Sequence, residues 1–200
     1  MPDGFAAAVS RQERPQAMTS STRLRADAQR SEDAIIDAAR DLFGAEGIDV
    51  PNRTIAQAAG VGVGTLYRRF PTRADLIAAV FRHEIDACAS ASDELRGSRP
   101  PFEALADWLR RFASFIATKR GFSTALHSGN PAYTGLPGHF EERLYPALDG
   151  LLAEAREARV LREGVTADDL VKAVARLVAP EDTGLGQRML EVLIDGLRVD

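Results

Sequence analysis

The chain has 200 residues, of which 45% are hydrophobic and 27% are charged, and its formal net charge is −4. This size allows one ordinary domain or two small ones, and the apolar fraction is typical of a globular protein. No apolar run approaches the ~18 residues of a membrane span, and the lone Cys88 excludes a disulfide framework within one chain. The N-terminus has no secretory pattern, so we expect a cytoplasmic protein without a membrane partner.

Residues 1–29 lack a sustained apolar period and are rich in Ala, Ser, Arg, Gln and Asp, which predicts a disordered N-terminal arm. Arg23, Arg25 and Arg30 lie at or beside the end of this arm. They could reach into a DNA minor groove, as basic N-terminal arms do. They could equally belong to a solvated tail, since Asp27 dilutes their charge.

Residues 31–46 are predicted to form the first helix. Ser31 is a suitable N-cap, and the acidic Glu32 and Asp33 complement the positive end of the helix dipole. Apolar residues then recur with helical spacing, and they are Ile35, Ala39, Leu42 and Phe43. We expect this stripe to cover the apolar faces of the two short helices that follow.

Residues 54–70 divide into two short helical segments around a tight turn. Thr54 is a good N-cap for the first segment, and Gln57 completes a capping-box pattern. The run Gly60-Val61-Gly62 then interrupts the helix and offers a glycine for a left-handed C-cap.

The second segment is predicted to be a helix over residues 63–69. Leu66 and Phe70 are spaced to pack inward, which leaves small, hydroxyl and arginine side chains on the outer faces. These outward residues are Gly64, Thr65, Tyr67 and Arg68. Two short helices joined by a glycine-containing turn are typical of a helix-turn-helix, especially when the second presents such a face.

A local excess of positive charge supports contact between this region and DNA. Residues 50–74 contain no Asp or Glu, although the whole chain is acidic. The arginines in this window are Arg53, Arg68, Arg69 and Arg73. A phosphate backbone requires such a basic surface. The alternative is a solvated basic hairpin used only for packing.

The segment IAQAAGVGVGTLYRRFPTRADL resembles the DNA-binding signature of the TetR family of transcriptional regulators. The positions that match the family pattern are Ile55, Ala56, Ala59, Gly60, Val61, Gly64, Thr65, Leu66, Tyr67, Phe70 and Leu76. Four positions depart from it, where the family often has Ser, a polar residue, His and Lys: they are Gly62, Val63, Arg69 and Arg73.

The resemblance implies an all-α protein of about nine helices. An N-terminal three-helix DNA-binding domain over residues 30–75 would precede a C-terminal helical domain over residues 76–200, which binds ligand and dimerises. The distribution of charge agrees with this division. Residues 1–74 carry 10 basic and 9 acidic side chains, whereas residues 75–200 carry 15 basic and 20 acidic ones.

We expect the DNA contacts to come from the helix-turn-helix and its flanks. The expected DNA-binding residues are Arg53, Thr54, Val63, Gly64, Thr65, Tyr67, Arg68, Arg69 and Arg73. Arg68 is the predicted reader of a guanine edge, where an arginine can form a bidentate contact. The other arginines would supply charge, the Thr and Tyr hydroxyls would hydrogen-bond phosphates, and Gly64 would let the backbone approach closely.

Thr72 and Asp75 predict a capping box at the start of the next helix. Apolar residues keep helical spacing to about Gly97, which predicts a rod on the order of 35 Å long. The resemblance implies that this helix carries motion between the two domains. His83 lies on it, and we expect a polar-face residue there rather than a metal ligand.

The region after residue 100 contains a thick aromatic and apolar band on a helix that ends near Lys119. A short helix to about His127, a turn-rich segment over residues 128–138 and a helix from Phe140 to about Arg159 are predicted to follow. The aromatic side chains could form an ordinary core or line an apolar small-molecule pocket, and the resemblance implies an inducer pocket in this domain. The candidate ligand-binding residues are Trp108, Phe112, Phe115, Phe122, His127, Tyr133, Phe140 and Tyr145.

Two apolar helices are predicted at the end of the chain, and Thr166 with Asp169 predicts a capping box for the first of them. Two such helices from each of two chains would make a four-helix bundle, unless they pack only within one chain. The expected dimer-interface residues are Leu170, Val174, Leu177, Val178, Leu190, Leu193, Ile194 and Leu197. This region also resembles, more weakly, the C-terminal domain of actinobacterial TetR-type regulators.

The sequence contains no recognisable catalytic or metal-binding pattern. Its three histidines are not paired at metal-ligand spacing, and it lacks P-loop, GxGxxG and GxSxG motifs. We therefore expect a protein without enzymatic activity or a cofactor. Together with the predicted DNA-binding and dimerisation regions, the resemblance implies a repressor that binds a palindromic double-stranded DNA operator as a homodimer and is released by an unidentified small molecule. The alternatives are a constitutive regulator whose C-terminal domain only dimerises, and a small-molecule-binding helical protein without DNA binding.

Overall fold

The computed structural model describes residues 20–120, 128–178 and 183–199. The described part of the chain is built from α-helices, which confirms the predicted all-α class. The elements are α1 (Ser20–Glu46), α2 (Asn52–Ala58), α3 (Val63–Arg69), α4 (Arg73–Ser98), α5 (Pro101–Arg120), a 3-10 helix (Pro131–Tyr133), α6 (Leu136–Glu157), α7 (Ala167–Leu177) and α8 (Thr183–Leu197). Within these residues, no helix has the length and apolar character needed to cross a membrane.

The first helix begins at Ser20, well before the predicted start at Ser31. Ser31 is not an N-cap, because its hydroxyl donates to the carbonyl oxygen of Asp27 inside the helix, at 2.9 Å. The prediction of a disordered arm is therefore wrong for residues 20–29, and residues 1–19 lie outside the described residues. Residues 20–29 contain no Gly or Pro, and extending an existing helix requires no new nucleus.

The helix-turn-helix forms where the sequence predicts it, but its first helix has a different start. Pro51 occupies the N-cap position of α2, without a side-chain cap, and its carbonyl oxygen accepts the Thr54 N–H at 2.9 Å. The predicted Thr54–Gln57 capping box is therefore wrong, since Thr54 lies inside the first turn.

The turn between α2 and α3 has the backbone conformation that its glycine predicts. Gly60 adopts a φ of +67°, and the Val61 N–H donates to the carbonyl oxygen of Ala56 at 2.9 Å. This closes a Schellman-type C-cap. The following helix α3 spans Val63–Arg69, as predicted.

The long helix α4 is shared by both halves of the molecule. Its N-terminus carries the predicted capping box: the Thr72 N–H donates to Asp75 at 2.9 Å, and the Asp75 N–H donates to the Thr72 hydroxyl at 3.1 Å. The helix packs against α1 on one side and against α5 and α6 on the other. Its buried residues, which include Leu76, Ile85 and Cys88, therefore join the two halves in one core.

The C-terminal half is centred on α5 and α6. Trp108 of α5 is fully buried, and its indole N–H donates to the carbonyl oxygen of Cys88 in α4 at 2.9 Å. The predicted inward residues of α6, among them Leu144 and Leu148, are also fully buried. The predicted start of this helix at Phe140 is wrong, because α6 begins at Leu136, with a proline at a first-turn position where no backbone donor is needed.

The last two helices attach to this core through both side chains and backbone. The Thr166–Asp169 capping box at the start of α7 is present as predicted. Arg110 of α5 donates to Glu191 of α8 from Nε and Nη2, at 2.9 and 2.6 Å. This hydrogen bonding lowers the pKa of Glu191. An antiparallel backbone bridge joins Arg198, which follows α8, to Leu161 in the loop before α7.

Candidate nucleic-acid interface

The outer face of α3 is a compact exposed surface. Val63 and Tyr67 leave 44% and 51% of their surface accessible, and Gly64 and Arg68 are exposed. Thr65 is half-buried, and its hydroxyl accepts a hydrogen bond from Arg68 Nη2 at 3.0 Å. These five residues form the α3 face that the sequence predicted to contact DNA.

The inner face of α3 fixes its position. Leu66 is fully buried and Phe70 is 5% exposed, and both belong to the same core as Ile55 and Ala56 of α2. Helix α1 contacts α2, α3 and α4, so it covers the pair as predicted. Arg53, in the first turn of α2, is exposed and adds a positive charge to the helix-turn-helix.

Arg73 does not project freely from this surface. Its Nε donates to the carbonyl oxygen of Ile48 at 3.1 Å, its Nη2 donates to the same oxygen, and its Nη1 donates to Asn52 Oδ1 at 2.6 Å. The guanidinium carbon also lies 4.7 Å from the centroid of the Phe43 ring. Burial lowers the pKa of Arg73.

These contacts distinguish Arg73 from the exposed Arg53 and Arg68, and its predicted contact with DNA stays a prediction. Three of the five N–H groups of a guanidinium are occupied by oxygens of the protein itself. Arg73 connects the first residue of α4 to the loop between α1 and α2. The side chain therefore positions the helix-turn-helix relative to α4.

Arg69, the last residue of α3, has a carboxylate partner. Its Nη1 lies 3.5 Å from Oε2 of Glu32 on α1, and each side chain is about one-third exposed. The arginines of residues 50–74 therefore differ in whether they already have partners within the protein. Arg53 and Arg68 are exposed without a carboxylate within 4.0 Å among the described residues, whereas Arg69 is paired and Arg73 is enclosed.

A groove of about 700 Å³ runs beside this surface. Its walls come from the α1–α2 loop, the ends of α3 and α4, and the segment around the 3-10 helix. The lining residues are Ile48, Asp49, Val50, Asn52, Tyr67, Thr72, Arg73, Ala74, Ile77, Asn130 and Tyr133. The sequence gives no sign of this groove, because its walls are far apart in the chain and no local pattern brings Asn130 beside Asn52.

The candidate ligand-binding residues fall into separate groups. Trp108, Phe112 and Phe115 are buried, with Trp108 stacked on Phe112 at a centroid distance of 5.4 Å. Phe140 is half-buried and its ring centroid lies 6.1 Å from that of Phe112 and 6.4 Å from that of Phe115. These four rings therefore form one aromatic cluster between α5 and α6.

Tyr133 and Tyr145 make their contacts elsewhere in the structure. Tyr133 is 7% exposed, and burial raises its pKa. It lines the groove beside the helix-turn-helix. Tyr145 is half-buried and its hydroxyl donates to Asp168 of α7 at 3.3 Å. Phe122 and His127 lie outside the described residues.

The predicted dimer-interface residues mostly face the interior of their own chain. Those buried to 4% exposure or less are Leu170, Val174, Leu190, Ile194 and Leu197. Such side chains pack within their own chain and offer little surface to a second one, so their place at a dimer interface stays a prediction. Leu177, Val178 and Leu193 are half-buried.

A different apolar stripe of α8 is exposed. Leu185, Met189 and Val192 leave 47%, 37% and 62% of their surface accessible, and their i, i+4, i+7 spacing places them on one helix face. The sequence shows that α8 is apolar on more than one side. It does not show which side faces the chain's own core.

Comparison with known proteins agrees with this geometry in both halves. The sequence model of bacterial regulatory proteins of the tetR family matches residues 35–80, and that of the SbtR-like transcriptional regulator C-terminal domain matches residues 100–199. The HTH-type transcriptional regulator SAUSA300_2515 of Staphylococcus aureus is 36% identical over 64 residues, which are 32% of this chain and 35% of that protein. The alignment thus spans about a third of that curated relative.

Two solved structures are similar over most of the chain. The TetR transcriptional regulator SCO0520 from Streptomyces coelicolor is 35% identical with a TM-score of 0.71, covering 84% of this chain and 98% of that one. The TetR transcription regulatory protein from Mycobacterium vanbaalenii is 34% identical with a TM-score of 0.72, covering 88% and 99%.

The contacts of Arg73 predict a stabilising role. Arg73→Gln should lower the free energy of unfolding by ~1–3 kcal/mol, because partly buried oxygens lose charged hydrogen-bond donors. Arg53→Gln, which removes an exposed arginine from the same unit, should leave stability unchanged. Chemical denaturation of both variants measures the difference, and equal stability of the two would contradict the assigned role.

Proposed function

This chain belongs to the TetR family of transcriptional regulators, and on that premise we propose that it is a homodimeric repressor released from DNA by a small molecule. DNA binding and transcriptional regulation follow from the family. The dimer, the ligand, the repressing role and a cytoplasmic location are the proposal. The main support for the proposal is the exposed face of α3, whose opposite side packs into the buried core of the helix-turn-helix.

We propose that residues 30–75 form the DNA-binding domain and that α3 enters the major groove. Arg68 would read a guanine edge, and Val63 would contact a base edge at the N-terminal end of α3. The hydroxyls of Thr54, Thr65 and Tyr67 would bind phosphates. These assignments are supported by the exposure of Val63, Tyr67 and Arg68, and Arg53 would add charge beside them.

Residues 76–200 would dimerise and bind the ligand. The exposed stripe Leu185, Met189 and Val192 supplies an apolar face that a second copy of α8 would cover. Two-fold symmetry makes such a patch self-complementary. Two recognition helices about 34–36 Å apart would then read successive major grooves of a palindromic operator.

The aromatic cluster of α5 and α6 is the proposed neighbourhood of the ligand. Phe140 is half-buried and within ring-contact distance of Phe112 and Phe115, so an apolar ligand would find aromatic surface there. Ligand binding would shift the dimer towards a state whose recognition helices no longer match the operator. It could do so only by as much as its affinity differs between the two states.

A constitutive regulator is the second candidate, and one observation favours it. Trp108 and Phe112 are fully buried and stacked on each other, and the Trp108 indole N–H is hydrogen-bonded. These are the properties of an ordinary helical core. Under this alternative the C-terminal domain would only hold the two DNA-binding domains together.

The assignment of Arg68 predicts a change in sequence preference. Arg68→Ala should lose ~1–3 kcal/mol of discrimination at one base pair of the operator, because only a base contact distinguishes sequences. The matched control Arg53→Ala should weaken binding to operator and random duplexes alike, since it removes only phosphate charge. Fluorescence anisotropy with both duplexes measures this. An equal loss on both duplexes in Arg68→Ala would contradict the base-reading role.

The assignment of the α8 stripe predicts a change in oligomeric state. Val192→Glu combined with Leu185→Glu should convert a dimer to a monomer and weaken operator binding, because two charges would be buried at the two-fold axis. Val199→Glu, at an exposed apolar residue beyond α8, is the control and should remain dimeric. Light scattering after size-exclusion chromatography gives the masses. A stable dimer in the double variant would rule out this interface.

A further inference from the structure

Residues 50–74 contain no acidic residue, but in the folded structure α1 places a carboxylate beside them. Glu32 lies one turn before the buried residues Ile35 and Ile36 and therefore shares their face of the helix. This face contacts α3, and Glu32 Oε2 comes within 3.5 Å of Nη1 of Arg69 at the end of that helix. A negative charge is thus fixed at the edge of the proposed DNA-binding surface.

The pair is placed where it would compete with DNA. Each side chain is about one-third exposed, so the guanidinium is accessible from solvent while its partner is held by a packed helix. An arginine bound to a carboxylate neutralises a phosphate less effectively than a free one.

We propose that Glu32 lowers the affinity of this protein for DNA, because its carboxylate binds Arg69 in the place that a DNA phosphate would take. This inference rests on the proposed DNA-binding function of the α3 surface. On DNA, Arg69 exchanges Glu32 for a phosphate oxygen, and the broken ion pair subtracts from the binding free energy. Because phosphate contacts carry no sequence information, Glu32 lowers affinity for operator and random DNA to a similar degree.

The test removes the carboxylate and keeps the shape of the side chain. Glu32→Gln should bind both an operator duplex and a scrambled duplex on the order of fivefold more tightly, with a log–log salt slope more negative by up to about one. Asp33→Asn is the matched control. It removes the same charge from the next position of α1, where Asp33 is exposed and bonded to Gln29, and it should change affinity less than about twofold.

A second pair of variants separates the role of Arg69 from simple repulsion. In an Arg69→Gln background, Glu32→Gln should have little further effect, because the carboxylate acts through the arginine. A full gain in that background would overturn the exchange. Weaker DNA binding by Glu32→Gln would also overturn the proposal, because it would mean that Glu32 only supports helix packing.

The outcome also distinguishes this inference from the proposed function. If the wild-type protein selects its operator but Glu32→Gln and Asp33→Asn bind with equal affinity, the inference fails and the function stands. If the wild-type protein binds no DNA at either low or high salt, the proposed function fails. The melting temperatures of all variants, which an exposed ion pair should change little, confirm that each one is folded.

Discussion

A helix of seven residues cannot be stable by itself, so the recognition helix α3 depends on the burial of its inner face. Leu66 and Phe70 anchor it against Ile55 of α2, and the left-handed Gly60 sets the direction in which it leaves the turn. The same geometry turns the opposite side of α3 to solvent. Arg68 and its neighbours are therefore presented on a rigid support, which base recognition requires.

Helix α4 connects the helix-turn-helix to the C-terminal half of the molecule. Its first residue, Arg73, is bonded to the loop before α2, and its middle turns bind the Trp108 indole and pack on α5 and α6. Tyr133 reaches the same junction from the C-terminal half. A displacement of α4 would consequently move the DNA-reading unit as a body. Such a movement would supply a physical route for the proposed ligand response, provided that the ligand prefers one of two α4 positions.

Features set by neighbouring residues could be predicted from the sequence, and features set by distant ones could not. The range of α3 and the Thr72 capping box depend on local glycines, caps and spacing. The partners of Arg73 lie 21 and 25 residues away, and no local signal identifies them. Apolar stripes were equally ambiguous: Ile194 was expected at a dimer interface but lies in the core, whereas Val192 is exposed. Which side of an amphipathic helix meets its own chain depends on the whole fold.

Operator selection would show whether the α3 face distinguishes one DNA sequence from another. The purified protein should be incubated with fragments of the DNA upstream of its own gene and with random genomic fragments, at low and moderate salt. We expect saturable retention of a palindromic fragment that withstands excess random competitor and weakens as salt rises. Absence of selection from both pools, at either salt concentration, would contradict this expectation.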